Sequence, residues 1–389
     1  MSGPADTDGR GPAATPLPPG LVRPGLAAVD PYVPGRPTDD VRRELGIESV
    51  VKLASNEGPF PPMPGAQEAI RVCADGVRVY PDPGTWALRD ALAARYRMAS
   101  DMVLPGNGVD SLIKLLCLAT LDPGDELAMA WPSFLSWRQG ALIQGAEWRA
   151  AALGPDGAYD LDALLALVGP RTKLVVVVSP NNPTGAAVGR DDLVGFLDRL
   201  PGHVLPVLDE AYFEYLPPGS HDGAELVAEG RPMAVMRTFS KAYGLAGLRV
   251  GYMLAPAELV TALGRVRNAF DVSAPAQAAA LASLAEGAEH LPERIALNDA
   301  ERARVADGLR ELGLAPLPST ANFVFFDVGD PARARALAGA LLARGVIVRP
   351  AGPFGAPSGI RITIGWPEEN GRMLAALAEA LAESPAAIA

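Results

Sequence analysis

Apolar positions along this chain come in two kinds of run, and the two alternate. From Tyr80 to about Ser273, short apolar stretches that end in polar or turn residues are separated by segments with helical spacing. "DMVLP" predicts a strand, "GNG" a turn, and "VDSLIKLLCLATL" a helix closed by "DPGD". "ELAMAWP" predicts a further strand. "TKLVVVVSP" is an unbroken β-branched run, the pattern of a strand buried on both faces of a parallel sheet. "HVLPVLDEAY" and "MAVMRTFS" supply two more apolar runs. Such alternation predicts an α/β fold with a mainly parallel sheet. After Ser273 the text turns alanine-rich and helical, and "ANFVFFDV" and "IRITIG" then give a second strand set. A smaller C-terminal α+β domain is expected there.

The N-terminal part reads differently. "MSGPADTDGRGPAATPLPPG" is rich in Pro, Gly and Asp and has no apolar core of a signal peptide. "PYVPGRP" reads as an extended arm and "VVKLASNEGPFPP" as a short strand running into a loop. The expected organisation is a disordered lead over 1–29, an N-terminal arm over 30–50, a large domain over 51–275 and a small domain over 276–389. Length fits this, because 389 residues exceed what one small core supports.

Charge narrows the function classes. The net charge of −11 argues against nucleic-acid binding, which needs clustered Lys and Arg. No apolar run approaches the roughly 20 residues of a membrane span, and a cytoplasmic protein is expected. The two cysteines, Cys73 and Cys117, lie in separate helix-like stretches and suit a reducing compartment. His203, His221 and His290 have no metal-ligand spacing and are read as surface residues, so no metal is expected.

Several expected strands end in polar residues, where ligands bind an open parallel sheet. "MVLP" runs into Gly106-Asn107-Gly108 and a helix, which would offer free N–H groups to an anion. The same stretch also reads as a tight turn capped by Asp110. Ser111 stands where a dinucleotide fingerprint needs its third glycine, and there is no P-loop. "SPNNPTG", taken alone, is a turn. Asp209 ends an apolar strand, so it should be partly buried and in need of a partner, with Tyr212 three residues on. "TFSKAYGLAGLRVGY" then holds one of only four lysines, the others being Lys52, Lys114 and Lys173. A desolvated lysine is a good amine nucleophile toward an aldehyde. Thr238, Ser240 and Arg249 suit a phosphate. An amine, a phosphate cradle and a buried carboxylate together are what pyridoxal 5'-phosphate requires.

In their order, "SPNNPTG", "DEAY" and "RTFSKAYGLAGLRVGY" resemble the class I/II aminotransferases of fold type I. "PYVPGRPTDDVRRELG", "YPD", "GNGVD", "ANFVFF", "GVIVRP" and "RITIGWPEEN" narrow the resemblance to the histidinol-phosphate aminotransferase branch, over roughly residues 30–380. The resemblance implies that Lys241 holds the cofactor aldehyde and moves the proton, and that Asp209 pairs with the pyridine nitrogen. It places Tyr212 and Asn182 at the ring's 3-oxygen and Phe134 against the ring. Gly108, the amides of Val109 and Asp110, Thr238, Ser240 and Arg249 would hold the phosphate. Tyr80 would reach the phosphate of a partner subunit, which implies a homodimer. Arg361 would bind the substrate's carboxylate or phosphate, with Tyr32 and Arg349 also at the substrate end. The implied reaction is histidinol phosphate with 2-oxoglutarate. Alternatives are an aromatic or secondary-pathway aminotransferase and, more remotely, a decarboxylase of the superfamily that tends to carry proline where this chain has Ala246. The chain departs from the branch at Gly58, Ser111, Trp137 and Asp271. All but Ser111 are expected near the substrate end.

Overall fold

The computed structural model describes residues 18, 20–31 and 35–383. Its strands in chain order are β1 (Val51–Lys52), β2 (Val103–Gly106), β3 (Glu126–Trp131), β4 (Glu147–Ala152), β5 (Thr172–Val178), β6 (Leu205–Asp209), β7 (Ala234–Thr238), β8 (Gly251–Leu254), β9 (Phe323–Asp327), β10 (Val346–Ile347), β11 (Arg349–Pro350) and β12 (Gly359–Thr363). Seven of them form one sheet in the order β2-β8-β7-β6-β5-β3-β4. β3 to β7 run parallel, while β8 lies antiparallel between β2 and β7. The α/β class and the mainly parallel sheet agree with the sequence pattern. β8 was hidden inside the lysine segment, because its four residues follow a loop that reads as site rather than strand.

The continuous β-branched run of β5 has side chains on both faces of the sheet. Val175 and Val177 join one apolar cluster, with Leu208 and Val235. Leu174, Val176 and Val178 join the other, with Val207 and Met236. Each fully buried aliphatic side chain there contributes roughly 1.5–3 kcal/mol. The packing places the ends of β5, β6 and β7 side by side, with Val178 opposite Asp209 and Asp209 opposite Met236.

A helix of 38 residues, Ala274–Glu311, starts with Ser273 accepting from the N–H of Ala276. Ala276, Ala279 and Ala280 pack into the first cluster, and Val305 and Leu309 into a third with Val324, Ile360 and Leu377. One helix therefore joins the large sheet to the three-stranded sheet β11-β12-β9. β1 pairs in parallel with β10, Val51 opposite Val346, so the start of the expected large domain hydrogen-bonds into the C-terminal part. A strand of two residues carries too little pattern to announce its partner.

Residues 24–28 form a turn of 3-10 helix within the expected disordered lead. Arg23 donates to the carbonyl of Ile143, and Gln139 donates to the carbonyl of Asp30 at 2.6 Å. Polar contacts at low-complexity positions leave no periodic signal. No helix among the described residues is long and apolar enough to cross a membrane.

Beneath the strand ends lies a buried ionic cluster. Arg237 has no exposed side-chain surface and meets Glu210 at 2.7 Å and Asp222 at 2.5 Å. His221 is also buried, with Nδ1 2.9 Å from the carbonyl of Val188 and Nε2 3.6 Å from Glu210. This corrects its reading as a surface residue; a lone histidine in a polar sequence context says nothing about the strand end it packs under. Removing one partner of a buried pair strands the other charge. Arg237→Met is expected to lower folding stability by about 3–5 kcal/mol, measured as a fall in the denaturant midpoint. An unchanged midpoint would show the cluster to be energetically idle.

Candidate active site

The strand ends open into a cavity of about 560 Å³. The geometry of its wall follows from the elements that carry it. At one side the helix Val109–Thr120 begins directly after β2. Gly108 precedes it at φ +77°, a left-handed conformation that a side chain resists, and a Cβ there would meet Arg249 Nη2 at 2.6 Å. Glycine thus lets the guanidinium close over the helix start. A Cβ on Gly251 would likewise meet the Val109 nitrogen at 3.2 Å. The first-turn N–H groups of Val109 and Asp110, the Thr238 and Ser240 hydroxyls and Arg249 border the same end of the cavity. Thr238 Oγ1 donates to Ser240 Oγ at 3.0 Å, which orders both hydroxyls. Asp110 is held by Ser136 Oγ and stands 3.8 Å from Arg249.

Asp209 ends β6 and is 1% exposed. Its Oδ2 accepts from Trp137 Nε1 at 2.9 Å and its Oδ1 from the Ala211 N–H at 3.3 Å. Among the described residues no Lys, Arg or His hydrogen-bonds to it. Burial pushes its carboxyl up to about 6, against the opposing pull of the Trp137 bond. A buried carboxylate that no cationic side chain among the described residues hydrogen-bonds suits a cationic group on a ligand.

Lys241 follows β7, the strand beside β6, and lines the same cavity. Its Nζ lies 3.4 Å from the Ser55 carbonyl and 5.6 Å from the centre of the Tyr212 ring. Burial first, and then the charge of Arg361, lowers its amine to about 8. At pH 7 roughly one such amine in ten is neutral, against roughly one in three thousand for an ordinary lysine. Tyr212 accepts from Asn56 Nδ2 at 2.8 Å. Asn182 Oδ1 accepts from Arg361 Nη1, and Arg361 Nη2 donates to the Ala54 carbonyl at 2.9 Å. Arg361 is thereby fixed between the loop after β5 and the segment after β1.

Most residues singled out in the sequence meet on this wall: Lys241, Asp209, Tyr212, Asn182, Val109, Asp110, Phe134, Thr238, Ser240, Arg249 and Arg361. Gly108 lies just behind it. Arg349 stands one strand over, opposite Arg361 in the β11–β12 register, and both guanidinium groups sit near the Phe354 ring, at 5.3 and 5.2 Å. Tyr80 is elsewhere, 79% exposed and stacked on Phe270 at 4.5 Å. Tyr32 lies outside the described residues.

The departures fall differently from expectation. Trp137 is not at the substrate end; it is fully buried beneath the cavity floor, because its ring fills a gap in the sheet's apolar cluster and its N–H points at Asp209. Asp271 is off the wall, accepting from Arg267 Nε at 2.8 Å and Nη2 at 2.6 Å. Gly58 does lie close to the amine's backbone, since a Cβ there would meet the Lys241 carbonyl at 3.2 Å. Sequence reasoning missed Asn56, whose φ of +53° and buried polar contacts orient Tyr212; "SNEG" is a turn signal that could have flagged it. It also passed over Lys114, which lines the cavity one helical turn after Asp110.

A family model for class I and II aminotransferases matches residues 48–377. Histidinol-phosphate aminotransferase of Anaeromyxobacter sp. is 43% identical over 363 residues, which are 93% of this chain and 99% of that one. The enzyme of the same description from Moorella thermoacetica is 40% identical over 92% of this chain and 93% of its own. Among solved structures, histidinol-phosphate aminotransferase from Sinorhizobium meliloti in complex with pyridoxal-5'-phosphate gives a TM-score of 0.85 at 30% identity, covering 93% of this chain and 98% of that one. Aspartate aminotransferase from Thermus thermophilus with maleate gives 0.81 at 26% identity, covering 92% and 99%.

Proposed function

We propose, since this chain belongs to the class I and II aminotransferases, that it is a pyridoxal-phosphate enzyme moving the amino group of histidinol phosphate to 2-oxoglutarate. The observation that carries the reading is the meeting, around one cavity, of a depressed amine, a phosphate cradle and a buried carboxylate that no cationic side chain among the described residues hydrogen-bonds. The residues fit the cofactor. Val109 and Asp110 amides, Thr238, Ser240 and Arg249 would hold its phosphate, and Gly108 keeps that end open. Asp209 would face its ring nitrogen, Tyr212 and Asn182 its ring oxygen, and Phe134 its ring face.

When bound, pyridoxal phosphate supplies an aldehyde for amines and a ring that takes up electrons from the substrate's α-carbon. The chain's own residues do the rest. Asp209, 1% exposed, has little solvent to screen its charge, so its carboxylate favours a positive partner strongly. Lys241, with its amine near the working pH, accepts and returns a proton at the substrate carbon that bears nitrogen. Asn56 holds the Tyr212 hydroxyl in place. Arg361, locked by Asn182 and Ala54, presents a planar fork that fits a carboxylate or phosphate, with Arg349 beside it for a second anionic group.

The phosphate of histidinol phosphate and the carboxylates of 2-oxoglutarate both suit these guanidinium forks, and relatives described as histidinol-phosphate aminotransferases at 40–43% identity support this pair over an aromatic amino acid. Trp137 does not favour a flat substrate ring, because it is buried below Asp209. Histidinol phosphate is expected to exceed phenylalanine and tyrosine in kcat/KM by tenfold or more, about 1.4 kcal/mol of transition-state binding. Phenylalanine leading by the same margin would overturn the substrate and leave the aminotransferase standing.

The same reading includes a cytoplasmic homodimer with shared sites. Tyr80 cannot serve its own cavity while stacked on Phe270, and Val77, Val79 and Trp86 are exposed around it. Mixing inactive Lys241→Ala protein with impaired Tyr80→Phe protein should restore activity through exchanged subunits. A fully active monomer in sedimentation would contradict this.

A further inference from the structure

The structure gives Asp209 a neighbour whose chemistry restricts it. Of its two hydrogen bonds, the one from Trp137 is the shorter, 2.9 Å against 3.3 Å for the Ala211 N–H. Trp137 lies on the helix Leu135–Gln144, has no exposed surface, and belongs to the apolar cluster that holds Ile113, Cys117, Met129 and Val176. Packing of that kind leaves the indole one direction for its N–H.

An indole nitrogen only donates, and it neither takes up nor releases a proton in the working range. A phenol or an imidazole in its place could trade a proton with the carboxylate. Among the described residues, ionisable groups that bear on Asp209 include Asp110 on the helix Val109–Thr120, Glu210 next along the chain, and Tyr159. None of them hydrogen-bonds to it. Tyr159 is occupied by Val178, donating to its carbonyl and accepting from its N–H at 2.9 Å each. Glu210 is turned to Arg237 and the Gly223 N–H. Asp110 is turned to Ser136.

We propose that Trp137 is a positioning residue for Asp209: its N–H holds Oδ2 as an acceptor and, being unable to titrate, leaves the cofactor's ring nitrogen as the one group that shares a proton with the carboxylate. The proposal rests on the pyridoxal-phosphate reading above. Burial first, and then the charges of Asp110 and Glu210, oppose an ionised Asp209, and the Trp137 bond is the largest influence that favours it.

The test follows the indole N–H of Trp137 by 15N resonance in the full chain, with and without pyridoxal phosphate. The signal is assigned by its loss in Trp137→Phe or, should that variant not fold, by elimination with substitutions at Trp86, Trp131, Trp148 and Trp366. With cofactor the signal is expected to stay constant across the neutral range. Without it the signal should move with pH as Asp209 titrates, and Asp209→Asn should abolish the movement. Trp137→Phe should lose cofactor about 10- to 100-fold more readily, as for a lost hydrogen bond to a charged group. Trp137→His should recover binding and add to the pH profile of kcat an ionisation that the wild type lacks. A signal indifferent to pH and to Asp209→Asn in the cofactor-free chain overturns the proposal. So does Trp137→Phe protein with wild-type cofactor affinity and pH profile. A wild-type chain that takes up no pyridoxal phosphate overturns the underlying reading as well, whereas loss confined to the variant concerns Trp137 alone.

Discussion

Replacing Lys241 with alanine is expected to lower kcat on the order of 10⁴-fold or more, because nucleophile and proton carrier vanish together. Burial lowers the ionisation of this wall amine toward neutrality, to about 8. The variant should remain folded, since Lys241 makes only a long 3.4 Å contact through Nζ. Pyridoxal phosphate should still associate through its phosphate, and added methylamine should restore part of the rate. Single-turnover measurements with and without the amine check this. Activity within tenfold of wild type would move the chemistry to another amine, and Lys114 is the other lysine on the wall.

Asp209→Asn should cost roughly 10²–10³-fold in kcat, about 3–4 kcal/mol, with KM changed far less. Asparagine keeps the shape and can still accept from Trp137 Nε1, so packing is preserved and only the charge is lost. The effect is large because Asp209 is buried and no Lys, Arg or His among the described residues hydrogen-bonds to it. A variant with near-normal kcat would mean that the ring nitrogen needs no charged partner.

Much of this site was legible because its residues stand at strand ends, and strand ends are the visible punctuation of a parallel sheet. The run "TKLVVVVSP" announced a strand buried on both faces, and Asp209 and Lys241 followed from where the next runs stopped. Their roles needed the family resemblance as well, since an aspartate after an apolar strand fits many structures. What stayed hidden depends on contacts far apart in sequence. Trp137 is 72 residues from Asp209, and nothing in "PSFLSW" says which way the indole faces. Asn56 reaches Tyr212 across 156 residues. His221 looked like a surface residue because its burial comes from Val188 and Glu210, not from its neighbours in the chain. β8 escaped because its four residues share a segment with the lysine motif. Tyr80 is exposed and stacked on Phe270 away from the cavity, and that placement depends on packing with a residue 190 positions on, which the motif around it does not encode.

The most direct measurement of the central claim is borohydride reduction of the chain loaded with pyridoxal phosphate, followed by peptide mapping. The account predicts one modified residue, Lys241, with the rate of cofactor capture by the free chain rising with pH and levelling above about 8, as the neutral amine becomes the major form. Label on Lys114, Lys52 or Lys173, or a capture rate still climbing steeply above pH 9, would contradict it.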